Sequence, residues 1–177
     1  VAKLIKLTPT SYAVLALVEL QPGATPYELK QLLAHSIANF WPIPHTTFYE
    51  EPARLAGAGY LRETQEQGGR RRRRYELTAD GRRALREWAA DPRCAPQEVR
   101  DEALLKVFAG GDPKLLFGAR LAYHQAKLEE FSRALEELSA KPSPSPVEAG
   151  ARLTLLIGTT YHRSQLEMIE QLLAQAG

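Results

Sequence analysis

Five consecutive arginines, Arg70, Arg71, Arg72, Arg73 and Arg74, constrain this 177-residue chain more than any other feature. A guanidinium stays charged at any ordinary pH, so the run has to face solvent or a polyanion. It follows Gln67-Gly68-Gly69 and lies between two extended stretches, residues 60–65 and 72–77. Gly-Gly between extended runs predicts a β-hairpin, which puts the arginines just past an exposed tip. Along a strand they alternate sides, so about half can face one groove at a time.

The flanking segments narrow the fold. Thr8-Pro9 opens a helix through Leu20, rich in Tyr12, Leu15, Ala16 and Val18, and Gln21-Pro22-Gly23 ends it. Thr25-Pro26 starts a second helix, with Glu28 in its first turn. Its stripe of Leu29, Leu32, Leu33 and Ile37 is broken by Phe40-Trp41-Pro42-Ile43-Pro44. A third helix is expected from about residues 45–47 to 56, stopped by Gly57 and Gly59. After the hairpin, Thr78-Ala79-Asp80-Gly81 caps a fourth, running to 90, with Leu85, Trp88 and Ala89 on one face. Helix, helix, helix, hairpin, helix is the order of a winged helix-turn-helix.

Asp91-Pro92-Arg93-Cys94-Ala95-Pro96 has no periodicity and marks a boundary. The division is residues 1–90, a linker at 91–98, and residues 99–177. The second part reads as helical throughout. A short segment at 99–108 is interrupted by Gly110-Gly111-Asp112-Pro113. A long helix to about 140 follows, with Phe117, Leu121, His124, Leu128, Phe131, Leu135 and Leu138 at alternating steps of four and three. After the loop Lys141-Pro142-Ser143-Pro144-Ser145-Pro146, a last helix over 147–175 aligns Leu153, Ile157, Tyr161, Ser164, Met168 and Leu172. Two helices of about 27 residues would be about 40 Å long. As a lone hairpin they leave apolar stripes uncovered, and such stripes mark interfaces. A second copy would complete a four-helix arrangement. The expected homodimer interface is Leu121, Leu128, Phe131, Leu135, Leu153, Ile157, Tyr161, Met168 and Leu172. The alternative is that these helices fold back onto the N-terminal domain. The fold class is mainly α with a β wing: a winged helix-turn-helix plus a C-terminal antiparallel helical dimerisation domain.

Charge points the same way. The chain carries +2 in total. Residues 1–92 hold 13 basic against 10 acidic side chains, and residues 93–177 hold 10 against 11. Arginine suits phosphate as a two-pronged donor, and a basic hairpin beside three short helices points to double-stranded DNA. The alternative is a solvated basic loop that meets any polyanion. In a helix-turn-helix the start of the second helix meets base edges, here His45, Thr46, Thr47 and Tyr49, with Arg54 further along at the backbone. Against these stand the readings that Thr46 merely caps the helix and that Tyr49 is half-buried. Glu50 and Glu51 would repel phosphate and are expected on other faces.

Other chemistry is thin. A single cysteine, Cys94, precludes an intramolecular disulfide and suits a cytoplasmic protein. It is read as an ordinary linker residue. His35, His124 and His162 are scattered without spaced partners, and His124, in an apolar seam, is read as a satisfied interfacial histidine. There is no Gly-rich phosphate loop, nucleophile elbow or metal spacing, so an enzyme, a cofactor and a metal are not expected. No apolar run approaches a membrane span, and no basic-then-apolar stretch opens the chain. Trp41 and Trp88 read as core anchors or, flanking the expected inter-domain cleft, as walls of an effector pocket.

Several stretches resemble the PadR family of transcriptional regulators. They are Leu7-Thr8-Pro9 through Leu17, Tyr27-Glu28-Leu29, His45-Thr46-Thr47-Phe48-Tyr49, Arg54-Leu55, Gly59-Tyr60-Leu61 and Arg74-Tyr75-Glu76-Leu77-Thr78-Ala79-Asp80-Gly81-Arg82. Ser36-Ile37-Ala38-Asn39-Phe40-Trp41 and Val99-Arg100-Asp101-Glu102 look closer to its AphA-like virulence-activator branch. The resemblance implies a dimer on a roughly palindromic operator; many members respond to a small aromatic, hydrophobic or drug-like effector, while the virulence-activator branch is not uniformly ligand-gated. The expected role is that of a repressor, with an activator as the alternative. It implies DNA contact at or near Tyr27, Thr47 and Tyr49, with the arginines in the wing. Two prolines depart from the pattern. Pro26 suits a helix start. Pro52 falls inside the third helix, where proline removes a hydrogen bond and clashes with the Phe48 carbonyl. The expectation is a bend there or a late start. It favours the alternative of a winged-helix protein-interaction module without DNA binding.

Overall fold

The computed structural model describes residues 5–34, 36–66, 71–140, 142 and 144–175. The hairpin turn at Gln67-Gly68-Gly69, Arg70 and His35 lie outside the described residues. The chain divides into two compact units, Val1–Cys94 and Ala95–Gly177.

The first unit holds α1 (Pro9–Leu20), α2 (Pro26–Ala34), a 3-10 turn (Ile37–Asn39), α3 (Thr47–Gly57), β1 (Leu61–Gln65), β2 (Arg73–Leu77) and α4 (Ala79–Ala89). Short polar side chains set the starts. Thr8 and Ser11 form a capping box on α1. Thr25 and Glu28 do the same for α2: Thr25 N–H donates to the Glu28 carboxylate at 2.8 Å, and Glu28 N–H donates to Thr25 Oγ1 at 3.3 Å. The bond from Thr25 N–H, and then that from the Thr25 hydroxyl at 2.9 Å, hold the Glu28 carboxyl below its usual range. Thr78 accepts from Gly81 N–H to start α4, and its hydroxyl donates to the Gly59 carbonyl at 2.7 Å. The core gathers Val14, Leu15, Leu17 and Val18 of α1, Leu29 and Leu33 of α2, Phe48 and Leu55 of α3, and Leu61, Tyr75, Leu77 and Leu85.

Pro52 neither ends nor delays α3. The helix is assigned without interruption from Thr47 to Gly57, and Pro52 is buried on the same face as Phe48 and Leu55. Proline forfeits one backbone bond in the second turn, while its ring occupies a core position one turn after Phe48. Trp88 and Ala89 are exposed, so Leu85 is the core contact of that face.

The strands pair antiparallel, from Leu61 opposite Leu77 to Gln65 opposite Arg73. A third stretch pairs with the middle of β2. Gly23 N–H donates to the Tyr75 carbonyl at 2.9 Å, and Tyr75 N–H donates to the Ala24 carbonyl at 3.1 Å.

The second unit holds α5 (Glu102–Phe108), α6 (Pro113–Ser139) and α7 (Pro146–Gln175). Asp101 caps α5 and clasps Arg120 of α6 through two bonds of 2.6 and 2.7 Å. The Arg120 guanidinium brings the Asp101 pKa down to about 2. Ala103, Phe117 and Ile169 form a small core, with Leu121, Met168 and Leu172 packed against it. The expected interface list therefore divides. Phe131 is buried inside the chain, and Leu121, Met168 and Leu172 pack within it. Leu128 and Leu135 are half-buried. The α7 residues that become buried are Leu155, Thr159, His162 and Ile169, and not the face read from the sequence. Leu153, Ile157 and Tyr161 stay 60, 68 and 52% exposed.

His124 and His162, 38 positions apart, meet Nδ1 to Nδ1 at 2.8 Å. Such a contact needs one ring to donate and the other to accept, so one Nδ1 is protonated and the other is not. Phe131 and Tyr161 each stand edge-on to His162, at 5.2 Å.

Two results are expected. In Gly158→Ala the new methyl would lie 2.4 Å from the Phe131 ring. Urea unfolding should show a loss of about 1–3 kcal/mol, largely restored by adding Phe131→Leu. Burial lowers the pKa of both histidines below 6.5. The folded state thus favours the neutral rings, and their contribution is present above 6.5 and lost as pH falls below it. The melting temperature should drop on acidification through that range, and less steeply in His124→Gln. Parallel curves would count against the pair.

Candidate nucleic-acid interface

The start of α3 is exposed. Its core face is Phe48, Pro52 and Leu55, so successive turns carry other side chains outward. His45, Thr46 and Tyr49 are exposed, Tyr49 to 61%, and Thr47 is half-buried. Thr46 occupies the cap position with helical backbone angles, and its hydroxyl makes no capping bond. Both alternatives, a capping Thr46 and a half-buried Tyr49, are thereby set aside. Glu50 departs from expectation. It is exposed and follows Thr46 by four residues, about one turn, so it shares that side of the helix. Glu51 is turned to the protein, with a side chain 13% exposed and paired to Arg54.

Tyr27, in the first turn of α2, is 59% exposed, and its Oη accepts from Gln31 Nε2 at 3.2 Å. The hairpin comes close to this helix through Arg74 of β2. Arg74 Nη1 donates to the Gly23 carbonyl at 2.9 Å and lies 4.0 Å from the carboxylate of Glu28, the neighbour of Tyr27.

The arginines have unequal roles. Arg74 is consumed by structure: besides Gly23 and Glu28, it pairs with Glu66 at 2.7 Å. It clamps β2 to the α1–α2 turn, so its charge is engaged within the protein, unlike the free contact expected from the sequence. Arg73 is exposed and lies 3.5 Å from Glu63. That carboxylate also accepts from the Tyr75 hydroxyl at 3.0 Å. Burial, and then this bond, raise the Tyr75 pKa. Arg71 and Arg72 are exposed and neither makes a salt bridge within 4.0 Å among the described residues, and the Arg72 charge helps, as the smallest cause, to lower the Glu28 pKa. Arg71 has a left-handed backbone, φ 45°, where the chain leaves the turn. Its carbonyl accepts from Gln65 Nε2, and the Arg72 carbonyl accepts from Glu66 N–H. Both bonds use main chain and take up none of the guanidinium donors.

Arg54 is also committed to the protein. Its guanidinium is bound by Glu51, by Ser11 and by the Lys6 carbonyl. Trp88 stacks on Tyr12 at 4.6 Å with planes 5° apart, and Trp41 and Trp88 are each 44% exposed. Neither is a buried anchor. Among the described residues no group of histidine, cysteine and carboxylates could hold a metal, and no helix is long and apolar enough to cross a membrane.

The Transcriptional regulator PadR-like family matches residues 14–87. The chain carries a PadR-like domain. It is 26% identical over 173 residues to the negative transcriptional regulator PadR of Bacillus subtilis, covering 92% of this chain and 94% of that protein. The fold matches B. subtilis PadR in complex with operator DNA, with a TM-score of 0.78, 23% identity, and 96% of this chain and 100% of that one covered. It also matches that protein in complex with p-coumaric acid, with a TM-score of 0.69 at the same identity and coverages of 97 and 98%. The Vibrio cholerae virulence activator AphA matches with a TM-score of 0.65, 23% identity and coverages of 93 and 96%. The PadR-like match spans the core of α1 through most of α4, and so contains the α3 start and the whole wing.

Proposed function

We propose that this PadR-type transcriptional regulator binds duplex DNA as a homodimer. The start of α3 meets base edges in the major groove, and the wing meets the neighbouring backbone. The observation that carries this reading is the pair of exposed, unpaired guanidinium groups of Arg71 and Arg72, on the same unit as an uncovered α3 start. Arg73 joins them at the cost of a loose contact with Glu63, and Arg70 belongs to the same run in sequence. His45, Thr46, Thr47 and Tyr49 supply donors and a methyl group to base edges and phosphates, and Tyr27 adds a phenol from α2. Glu50 on that side accepts from a cytosine amino group.

The role is repression at a roughly palindromic operator, in the cytoplasm, with no catalysis. Support for repression is the B. subtilis relative, a negative regulator. A small aromatic effector is part of the proposal, supported by the p-coumaric acid complex of that relative. Trp41 and the uncovered face of Trp88 are two of the exposed aromatic surfaces the N-terminal unit offers it.

The second copy is required by α7. Leu153, Leu156, Ile157 and Tyr161 are each more than half exposed along one long helix. A run of large apolar side chains in water marks an interface, and an antiparallel helix pair is completed by a twin pair.

Each phosphate neutralised contributes about −0.9 to the slope of log K against log salt. Arg71→Ala with Arg72→Ala should make that slope shallower by about 1.8, and an unchanged slope would remove the wing from the interface. Leu153→Asp with Ile157→Asp should convert a dimer to a monomer by light scattering and weaken DNA binding. A dimer that survives both charges would place the interface elsewhere.

A further inference from the structure

The sequence places Arg54 among the phosphate contacts, and its surroundings give it other work. The guanidinium lies along the Glu51 carboxylate in two parallel bonds, Nε to Oε2 at 2.8 Å and Nη2 to Oε1 at 2.7 Å. Nη2 also donates to Ser11 Oγ at 3.1 Å, and Nη1 reaches the Lys6 carbonyl at 3.5 Å. Of the five N–H donors of an arginine, these contacts leave one. The charge is spent too, since a guanidinium neutralised by a carboxylate cannot neutralise a phosphate without giving that carboxylate up.

The far end of the network is the start of α1. Ser11 is fully buried. Its hydroxyl accepts from Arg54 and from Thr8 N–H at 2.9 Å, which fills both lone pairs and leaves its proton for Thr8 Oγ1 at 3.1 Å. The Glu51 carboxyl is held below its usual range, by its bonds from Arg54 first. A pair three residues apart on one helix would be worth little by itself. The link to Ser11, 43 positions away, turns it into a tether between two helices. Glu51 directly follows Tyr49 and Glu50, so the tether holds α3 at the turn that carries its outward side chains.

We propose that Arg54, with Glu51 and Ser11, is a positioning residue for the reading helix: it fixes how α3 is presented to the groove and does not itself contact DNA. This rests on the DNA-binding reading above, and the test separates the two. Binding is measured across salt concentrations for a duplex from the region upstream of the protein's own gene and for a scrambled duplex of equal composition. If the unmutated chain prefers neither, the DNA-binding reading fails and this inference falls with it.

If it prefers the first, Arg54→Lys should lower that affinity about tenfold although the charge is kept, because a single ammonium cannot span Glu51 and Ser11. Glu51→Gln should do the same. In both, the preference over the scrambled duplex should shrink and the salt slope should stay at its original value. A phosphate contact predicts the opposite: Arg54→Lys binds normally, Glu51→Gln binds more tightly, and Arg54→Gln makes the slope shallower by about 0.9. Any of these overturns the proposal. So does a lowered unfolding midpoint with an unchanged preference, which would mean a merely structural pair. Ser11→Ala leaves both charges in place and serves if the Arg54 variants do not fold. It should shrink the preference several-fold at constant slope, and an unchanged preference would again overturn the tether.

Discussion

A buried tyrosine holds the wing to the helices. Tyr75 lends its N–H to the Ala24 carbonyl and takes the Gly23 N–H on its own carbonyl, so β2 is paired on both sides at that residue. Its ring is 1% exposed, and its hydroxyl ends on Glu63 across the hairpin. A two-stranded hairpin in water is marginal alone. Here the strand is seated at its middle, and Arg74 next to it bonds the α1–α2 turn from the other face. The arginines beyond that point project from a rooted strand, which allows two exposed cations to be offered at a defined place.

Electrostatics then sorts one run of identical residues into different tasks. Arg74 has three partners and no charge to spare, Arg73 shares Glu63 with Tyr75, and Arg71 and Arg72 have only main-chain bonds. The same sorting operates on α3. Glu51 is neutralised against the protein, while Glu50, one residue earlier, is left in solvent on the side of Thr46. Acidic groups near a phosphate lattice cost affinity unless they are paired or accept from a base amino group, and on this helix Glu51 is paired while Glu50 is exposed.

Much of this was legible beforehand, and the failures have physical causes. The helix starts were readable because Thr8, Thr25 and Thr78 bond their own first turns, a local effect. The hairpin was readable from glycines and alternation. The commitments of Arg54 and Arg74 were not, because their partners lie 43 and 51 positions away. The His124–His162 contact was hidden for the same reason. The α7 face was misread because that helix is apolar on more than one side. Leu153, Leu155, Leu156 and Ile157 fall within five residues, and periodicity cannot say which side meets α6 and which is left out. Thr159 and His162 are polar residues buried in the seam, where an apolar pattern does not reveal them. Pro52 disturbs α3 less than its lost bond suggests, because the ring fills a buried position that an apolar residue would otherwise take.

The central claim is that two copies read DNA symmetrically through α3 and the wing. Its most direct test is selection of duplexes from a random pool by the unmutated chain, followed by sequencing of the bound fraction. The expected result is an inverted repeat whose half-sites are separated by about one helical turn, 10–10.5 base pairs, or a multiple of it. Enrichment of a single unrepeated site, or no enrichment over the starting pool, would contradict the account.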